Sequence, residues 1–246
     1  MSEGKEDSSD SGALVQLSVE TGQFLQKLTG STFNELDGLI GDWLRYHRMR
    51  LIIERLEGVK KMCRGAGIDE PEQVSLDTLA PWIEGASVEE EPNLQKMWDA
   101  LLANAADSRN EGRGTHRSFV RILKQIEITE RKVLEALYRI DGGESEEKDR
   151  GLAILGPYPD NEKIIQGIRE IGLQEPPENR LELAKINLVR LGLCIRGRNF
   201  ATLTGVEGNP PQPQEAPHTV HISDFGRAFY EACQPPESIS ESDTKD

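Results

Sequence analysis

The chain has 246 residues, of which 36% are hydrophobic and 29% are charged, and its formal net charge is −14. This length suits one large domain or two small ones, and the charged fraction indicates long solvated helix faces rather than a sheet-rich body. The acidic balance excludes a surface that binds nucleic acid or anionic membranes over the whole protein, because phosphate binding requires clustered lysine and arginine.

The ends of the chain and its cysteines indicate the compartment. The first residues are polar and lack the apolar segment of a signal peptide, and no apolar run approaches the ~20 residues that span a bilayer. Cys63, Cys194 and Cys233 are scattered and odd in number, so they do not form a disulfide framework. We therefore expect a cytoplasmic protein with no transmembrane segment. The polar segments 1–12 and 234–246 predict disordered tails.

Two amphipathic helices are predicted at the start of the chain. Apolar residues at three- and four-residue steps predict helices over Ala13–Leu28 and Phe33–Arg64. Gly30 should end the first helix, and the glycines of Gly65–Gly67 should end the second. A shorter helix is then predicted over Leu76–Glu84.

The next helix has the most regular apolar stripe in the chain. Its members recur at helical spacing and are Leu94, Met97, Trp98, Leu101, Leu102 and Ala105. Ser87 and Glu90 have the spacing of a capping box, which predicts that Ser87 begins this helix. Phe119, Val120 and Leu123 predict a further helix, and Val133, Leu134 and Leu137 predict another, with Thr129 as a cap between them.

The second half of the chain mixes helices with two short strands. Helices are predicted over Asn161–Ile171 and Leu181–Leu191, and strands over Leu193–Arg196 and Thr219–Ile222. A last helix over Phe225–Cys233 should be capped by Ser223 or Asp224. The fold class is therefore mainly α: a helical bundle over 13–127, then a smaller winged-helix-like α+β domain with a short β-hairpin over 128–233.

The polar clusters do not indicate catalysis. Glu89, Glu90 and Glu91 are explained by a helix N-terminus, where negative charge is stabilising. His218 and His221 would point to opposite faces of a strand, which disfavours a shared metal ion. No phosphate-binding glycine pattern or nucleophile elbow is present. We therefore predict no enzyme activity, no catalytic residue, no metal, no cofactor and no evident small-molecule substrate.

Two basic stretches and one helix bear on nucleic-acid binding. The basic stretches are Arg45, His47, Arg48, Arg50, Arg55, Lys60, Lys61 and Arg64, and then Arg109, Arg113, Arg117, Arg121 and Lys124. They form ordinary solvated helix faces or, if they lie on one side, a local patch that could bind nucleic acid or an acidic partner. The candidate recognition helix, Leu181–Leu191, offers Lys185, Asn187 and Arg190 but is otherwise apolar, which favours protein interaction.

A family resemblance is carried by three stretches. They are Ile40–Leu51 with Lys60–Cys63, Leu79–Glu91 with Leu94–Ala105, and Phe119–Ile126 with Val133–Leu137. Their order and spacing resemble the bacterial abortive infection alpha (Abi-alpha) family. The similarity is most specific over Glu89–Ala105 and covers Phe33–Tyr138, with weaker similarity at Leu188–Leu193 and Phe225–Phe229.

The resemblance implies a cytoplasmic bacterial protein associated with phage resistance, and it transfers no active site. We therefore predict a non-enzymatic interaction or regulatory protein of phage defence that binds a protein partner or associates with itself. The alternatives are a winged-helix DNA-binding regulator and a toxin-like effector acting on nucleic acid or membrane. The candidate interaction surface consists of Arg45, Arg48, Trp98, Asn104 and Arg117. Within it, Asn104 either bonds a neighbouring helix in the core or faces a partner, and Trp98 is also a candidate core anchor.

Overall fold

A computed structural model describes residues 19, 21–28, 30, 46–109, 117–141, 159–196 and 219–238, and of residues 46–50 it describes the backbone alone. The chain divides into two compact units. The first unit combines Met1–Gln125 with Ala232–Asp246, and the second unit is Ile126–Glu231. The chain therefore leaves the first unit once and returns to it near the C-terminus.

The first unit is helical in its described residues. Its helices are α1 (described over 21–28), α2 (Tyr46–Gly65), α3 (Leu76–Ala86), α4 (Pro92–Ala105) and α5 (Arg117–Leu123). These positions confirm the predicted helices where they overlap, while 13–18 and 33–45 lie outside the described residues. The helix α2 packs against α4, and α3 packs against both α4 and α5.

The second unit combines helices with a small sheet. Its elements are α6 (Ile128–Ile140), α7 (Asn161–Glu170), α8 (Glu178–Arg190), β1 (Cys194–Arg196), β2 (Val220–Ile222) and α9 (Asp224–Ala232). The two strands pair antiparallel, with Cys194 opposite Ile222 and Ile195 opposite His221. The helix α6 packs against α7 and α8, and α8 contacts β1. The prediction of a mainly α fold with two short paired strands is therefore confirmed.

The predicted start of α4 is wrong. Glu91, not Ser87, is its N-cap, and the Glu91 side chain accepts hydrogen bonds from the backbone N–H groups of Asn93 and Leu94. Pro92 explains the difference, because proline suits the first helical position and holds the residue before it in the extended conformation that an N-cap needs. Ser87 instead ends α3, where its hydroxyl donates to the Glu84 carbonyl.

The predicted cap of α6 is also wrong. The helix begins at Ile128, so Thr129 lies inside its first turn. Glu127 is the N-cap, and its backbone N–H donates to Oε2 of Glu130 at 3.2 Å. Other helix ends follow the sequence: Ser223 Oγ accepts from the Gly226 N–H at the start of α9, which is the role that a capping serine has.

Glycines end two of the helices as predicted. Gly67 follows α2 with φ of 72°, and Gly192 follows α8 with φ of 76°. In each case the next residue donates a backbone hydrogen bond back into the helix, from Ile68 to the Cys63 carbonyl and from Leu193 to Leu188. This left-handed ending satisfies carbonyls that would otherwise lack a donor.

Candidate interaction surface

Trp98 of α4 lies in the core of the first unit. Its side chain is 1% exposed, and a Cβ atom added at Gly85 of α3 would lie 2.3 Å from its ring. Trp82 is also fully buried, and its Nε1 donates to the Trp98 carbonyl at 2.7 Å. The expectation that Trp98 is a core anchor is therefore confirmed, Trp82 anchors the same core, and Trp98 offers no exposed area to a partner.

Asp99 is a buried carboxylate in the same helix. Its Oδ2 lies 3.4 Å from Nη1 of Arg55 on α2, and a Cβ atom added at Gly58 would lie 2.2 Å from that oxygen. Its Oδ1 has no hydrogen-bond partner among the described residues. Burial raises the pKa of Asp99 to about 7, against a smaller lowering by Arg55. The sequence analysis did not identify Asp99 as a candidate residue. Ala100 and Ala103 nevertheless extend the apolar surface of α4 around the helix, which indicates that α4 lies at the centre of the first unit.

Asn104 binds the C-terminal segment of the first unit, which begins at Ala232. It is 9% exposed, and its Nδ2 donates to the carbonyls of Ala232 at 3.0 Å and Gln234 at 2.7 Å. These carbonyls belong to the residues that return to the first unit. Two roles were predicted for Asn104, and the structure shows the first: its side chain makes its hydrogen bonds within the core and does not face a partner.

A neighbouring arginine holds the same C-terminal segment. Arg109 makes two hydrogen bonds to the Asp107 carboxylate at 2.8 Å, and these lower the pKa of Asp107. The guanidinium also donates to the carbonyls of Ala66 at 3.1 Å and Glu237 at 3.4 Å. Two backbone carbonyls within the predicted tail 234–246, those of Gln234 and Glu237, thus accept hydrogen bonds from the first unit.

Five of the described basic side chains of the first unit are paired with acids. Arg117 is 73% exposed in its side chain and lies 3.0 Å from Asp77. Further pairs join Arg55 to Asp99, Lys60 to Glu57, Arg109 to Asp107 and Lys124 to Glu84. Arg45 and the side chain of Arg48 lie outside the described residues. Of the five predicted surface residues, the structure thus exposes Arg117 and buries Trp98 and Asn104.

The cysteines and histidines are the remaining candidate chemical groups. All three cysteines are unpaired and buried, and burial raises the pKa of Cys63 to about 11, of Cys194 to about 12 and of Cys233 further. His221 is half-buried on β2, and His218 lies outside the described residues. Within the described ranges, no group of three His, Cys, Asp or Glu side chains could hold a metal ion.

Two of the three polar residues that the sequence offered on α8 make contacts inside the second unit. Lys185 is 2% exposed, and its Nζ donates to Asn161 Oδ1 at 2.6 Å and to Glu182 Oε1 at 2.7 Å. Asn187 donates to Oε1 of the buried Glu130 on α6 at 3.0 Å. These side chains stabilise the packing of α8, and Arg190 is the one of the three that is exposed.

The exposed side of α8 carries large apolar residues. Leu183 is 59% exposed and Ile186 is 49% exposed, and the three-residue step places them on one side of the helix, with Asn179 and Arg190. We call Asn179, Leu183, Ile186 and Arg190 the α8 face. Ile195 on β1, the strand that contacts α8, is 51% exposed. In the sequence, Leu183 and Ile186 lie beside the apolar stripe that the structure buries. The helical pattern alone therefore predicts that they belong to a wider core.

A known protein family matches most of the chain. The model of the family described as abortive infection alpha matches residues 47–233. The chain belongs to the abortive infection alpha family. No curated protein and no solved structure matches the chain.

The abortive infection alpha match covers nearly all the elements described above. It runs from the start of α2 to the residue after α9, so it includes α4 and the whole of the second unit. The sequence resemblance is therefore confirmed, and it extends further into the second unit than the stretches that first indicated it. Membership of this family connects the chain with abortive infection by phage. None of the helices in the described ranges has an apolar stretch long enough to span a bilayer.

Proposed function

We propose that this abortive infection alpha chain is a non-enzymatic interaction protein of bacterial phage defence. In this proposal it works in the cytoplasm, and the second unit is a winged-helix-like module that binds a protein partner through the α8 face. The observation that carries the proposal is the exposure of Leu183 and Ile186 on the helix where a DNA-binding module would present basic and polar side chains.

Several contacts favour a protein partner over nucleic acid. Lys185 and Asn187, which could have contacted bases, are hydrogen-bonded inside the unit. Several basic side chains of the first unit, Arg117 and Lys124 among them, are paired with acids, which weakens the positive potential that phosphate binding needs. The buried thiols support a non-enzymatic role, because a nucleophilic cysteine needs a lowered pKa and access to solvent.

The test is protection of bacteria against phage, measured by plaque counts. We expect the double variant Leu183→Gln/Ile186→Gln to lose protection at unchanged abundance, because it keeps the size of both side chains but removes apolar area. The matched control is Leu76→Gln/Val88→Gln, which changes two exposed apolar residues of the first unit, 43% and 57% exposed. The control should protect as the wild type does.

Two outcomes would overturn the proposal. Protection that survives the Leu183→Gln/Ile186→Gln change would remove the α8 face from the function. A wild-type chain that gives no protection, alone or with its genomic neighbours, would remove the defence role. Binding to duplex DNA that weakens steeply with salt would favour the DNA-binding regulator. Binding to lipid vesicles would favour the toxin-like effector, but Leu25 and Leu28, which the sequence offered for that contact, are 5% and 0% exposed and so do not present a membrane surface in this fold.

A further inference from the structure

We propose that the partner of the α8 face is a second copy of this chain, an inference that rests on the proposed function. The two copies of α8 pair antiparallel about a two-fold axis. Leu183 and Ile186, which are 59% and 49% exposed, supply the apolar centre of the contact. The other side of α8 is already covered, since Leu181, Ala184 and Leu188 are buried.

The spacing of the α8 face is the same in both directions along the helix. Its residues are Asn179, Leu183, Ile186 and Arg190, which follow each other at steps of four, three and four residues. These steps are those of the residues that line the seam between two paired helices. Reversing the helix places Leu183 on Ile186 and Asn179 on Arg190. A two-fold contact needs this property, because each residue must meet the same partner residue in both copies.

The charges at the two ends of α8 fit an antiparallel contact. Glu178, which lies beside Asn179 in the first turn, is exposed, and Arg190, which lies in the last turn, is also exposed. Antiparallel pairing brings the Arg190 end of each copy to the Glu178 end of the other, so opposite charges meet on both sides of the apolar centre. Parallel pairing would place like charges together at each end, which opposes association.

Arg190 keeps its contacts within the second unit in this arrangement. Its Nε and Nη2 donate to Oδ1 of Asn187 at 3.0 and 2.8 Å, and Asn187 in turn donates to the buried Glu130. A guanidinium has five N–H donors, so a contact with a carboxylate of the second copy is added to these bonds and does not replace them. The bonds to Asn187 orient the side chain before association, which lowers the entropy that the contact costs.

The other charged residues of α8 have partners within the second unit. Lys185 Nζ donates to Glu182 Oε1 at 2.7 Å, and Nη1 of Arg180 lies 3.6 Å from Oε2 of Glu127. One side of a single helix offers less area than the ~800 Å² per partner that a standard interface buries. We therefore expect a reversible dimer that dissociates on dilution, in which the charges at the ends of α8 set the orientation.

Sedimentation equilibrium of the purified full-length chain at several concentrations measures the association. We expect the wild type to dimerise and Leu183→Gln/Ile186→Gln to stay monomeric over the same range. Arg190→Glu should raise the dissociation constant about tenfold, because it places carboxylates of the two copies together at both ends of the contact. Glu178→Arg should weaken the dimer in the same way, because it places two guanidinium groups together there.

A combined variant makes the test specific to the antiparallel contact. Glu178→Arg/Arg190→Glu restores opposite charges at both ends, so its dissociation constant should return to the wild-type value. An equimolar mixture of the two single variants should likewise form a mixed dimer, which an affinity tag on one of them detects. The controls are Lys61→Glu, which inverts an exposed charge of α2, and Leu76→Gln/Val88→Gln, and both should associate as the wild type does. Circular dichroism and the urea midpoint of each variant establish that the fold is unchanged.

The remaining outcomes separate this inference from the proposed function. A wild type that stays monomeric, a dimer that survives Leu183→Gln/Ile186→Gln, or a combined charge variant that does not regain association would each overturn the inference. If the wild type is monomeric and Leu183→Gln/Ile186→Gln still abolishes phage protection, the proposed function stands and the α8 face binds another protein. If the dimer and its rescue are observed in a chain that gives no protection, the inference stands and the defence role is rejected.

Discussion

Asp99 shows how one buried group makes the first unit sensitive to pH. Its carboxylate touches Gly58 and has Arg55 as its charged neighbour on α2, and burial raises its pKa to about 7. A raised pKa in the folded state means that the folded chain holds a proton that the unfolded chain has already released. The stability that this proton gives is complete below the pKa of the unfolded chain and is lost as the pH rises through the folded value.

We therefore expect the free energy of unfolding of the first unit to fall by up to about 4 kcal/mol between about pH 4 and about pH 7, and Asp99→Asn to remove this fall. Asparagine keeps the volume beneath Gly58 and cannot titrate. Urea unfolding followed by the fluorescence of the buried Trp82 and Trp98 measures the effect at several pH values. Asp77→Asn, which changes an exposed carboxylate, is the control. Parallel pH profiles of wild type and Asp99→Asn would contradict the expectation.

At the scale of elements, α9 is held against the turn that follows α8. The hydroxyl of Ser223 donates to the Gly192 carbonyl at 2.6 Å, and the Ser223 N–H donates to the Leu193 carbonyl at 2.9 Å. A Cβ atom added at Gly226 would lie 2.0 Å from the same Leu193 oxygen. The obstacle is backbone, so it cannot move aside as a side-chain end could. The position of α9 therefore depends on glycine at 226.

Gly226→Ala should lower the free energy of unfolding by roughly 1–3 kcal/mol, because the added methyl group forces the backbone apart. The control is Gly22→Ala in α1, where no atom lies within 4 Å of the added Cβ. That control should be neutral or should stabilise by up to about 1 kcal/mol, since alanine is the better helix former. Thermal unfolding by circular dichroism compares the two variants. A Gly226→Ala midpoint equal to that of the wild type would show that α9 does not rely on this contact.

The elements were predictable from sequence because burial of one side leaves a periodic pattern. The stripe through Leu94, Trp98 and Leu101 predicted α4, and the glycines at 67 and 192 predicted where helices end. The start of α4 was mispredicted because Ser87 has a good capping sequence. Pro92 fixes the backbone at a start one turn later. The choice between the Ser87 signal and the Pro92 signal depends on the packing of the preceding helix, which continues to Ala86.

The candidate surface was less predictable than the elements. Trp98 and Asn104 stand out in the sequence because a large ring and a polar amide interrupt an aliphatic stripe, yet both are satisfied inside the unit. Leu183 and Ile186 look like additional core residues, because the pattern cannot tell which side of an apolar helix its neighbours cover. Only tertiary packing distinguishes a wide core from an exposed apolar face.

At the scale of the whole molecule, the first unit is completed by residues from the end of the chain. Ala232 and Cys233 are buried, and Asn104 and Arg109 bind the carbonyls of Gln234 and Glu237. A donor or acceptor left buried without its partner costs about 1–3 kcal/mol. The short C-terminal segment should therefore contribute to the stability of α4, although more than a hundred positions separate the two in sequence.

In a chain that ends at Glu231, the free energy of unfolding of the first unit should be roughly 2–4 kcal/mol lower than in the full chain. The shorter chain loses the buried Cys233 and the two carbonyls that accept from Asn104. A chain that ends at Ser238 keeps every described contact of the segment and should match the full chain. Urea unfolding followed by tryptophan fluorescence measures both truncated chains. Equal midpoints for the two would place the C-terminal segment outside the cooperative unit.

The return of the chain to its first unit also sets an order for biosynthesis. The ribosome makes residues 126–231 before Ala232–Ser238, so the second unit has its full sequence while the first still lacks its last residues. Domains generally fold as units during translation, N-terminal ones first. Here the unit that begins the chain is the last to be completed. A ribosome that stops after Glu231 would release a molecule with a finished α8 face and an unfinished first unit, and we expect cellular proteases to cleave that first unit.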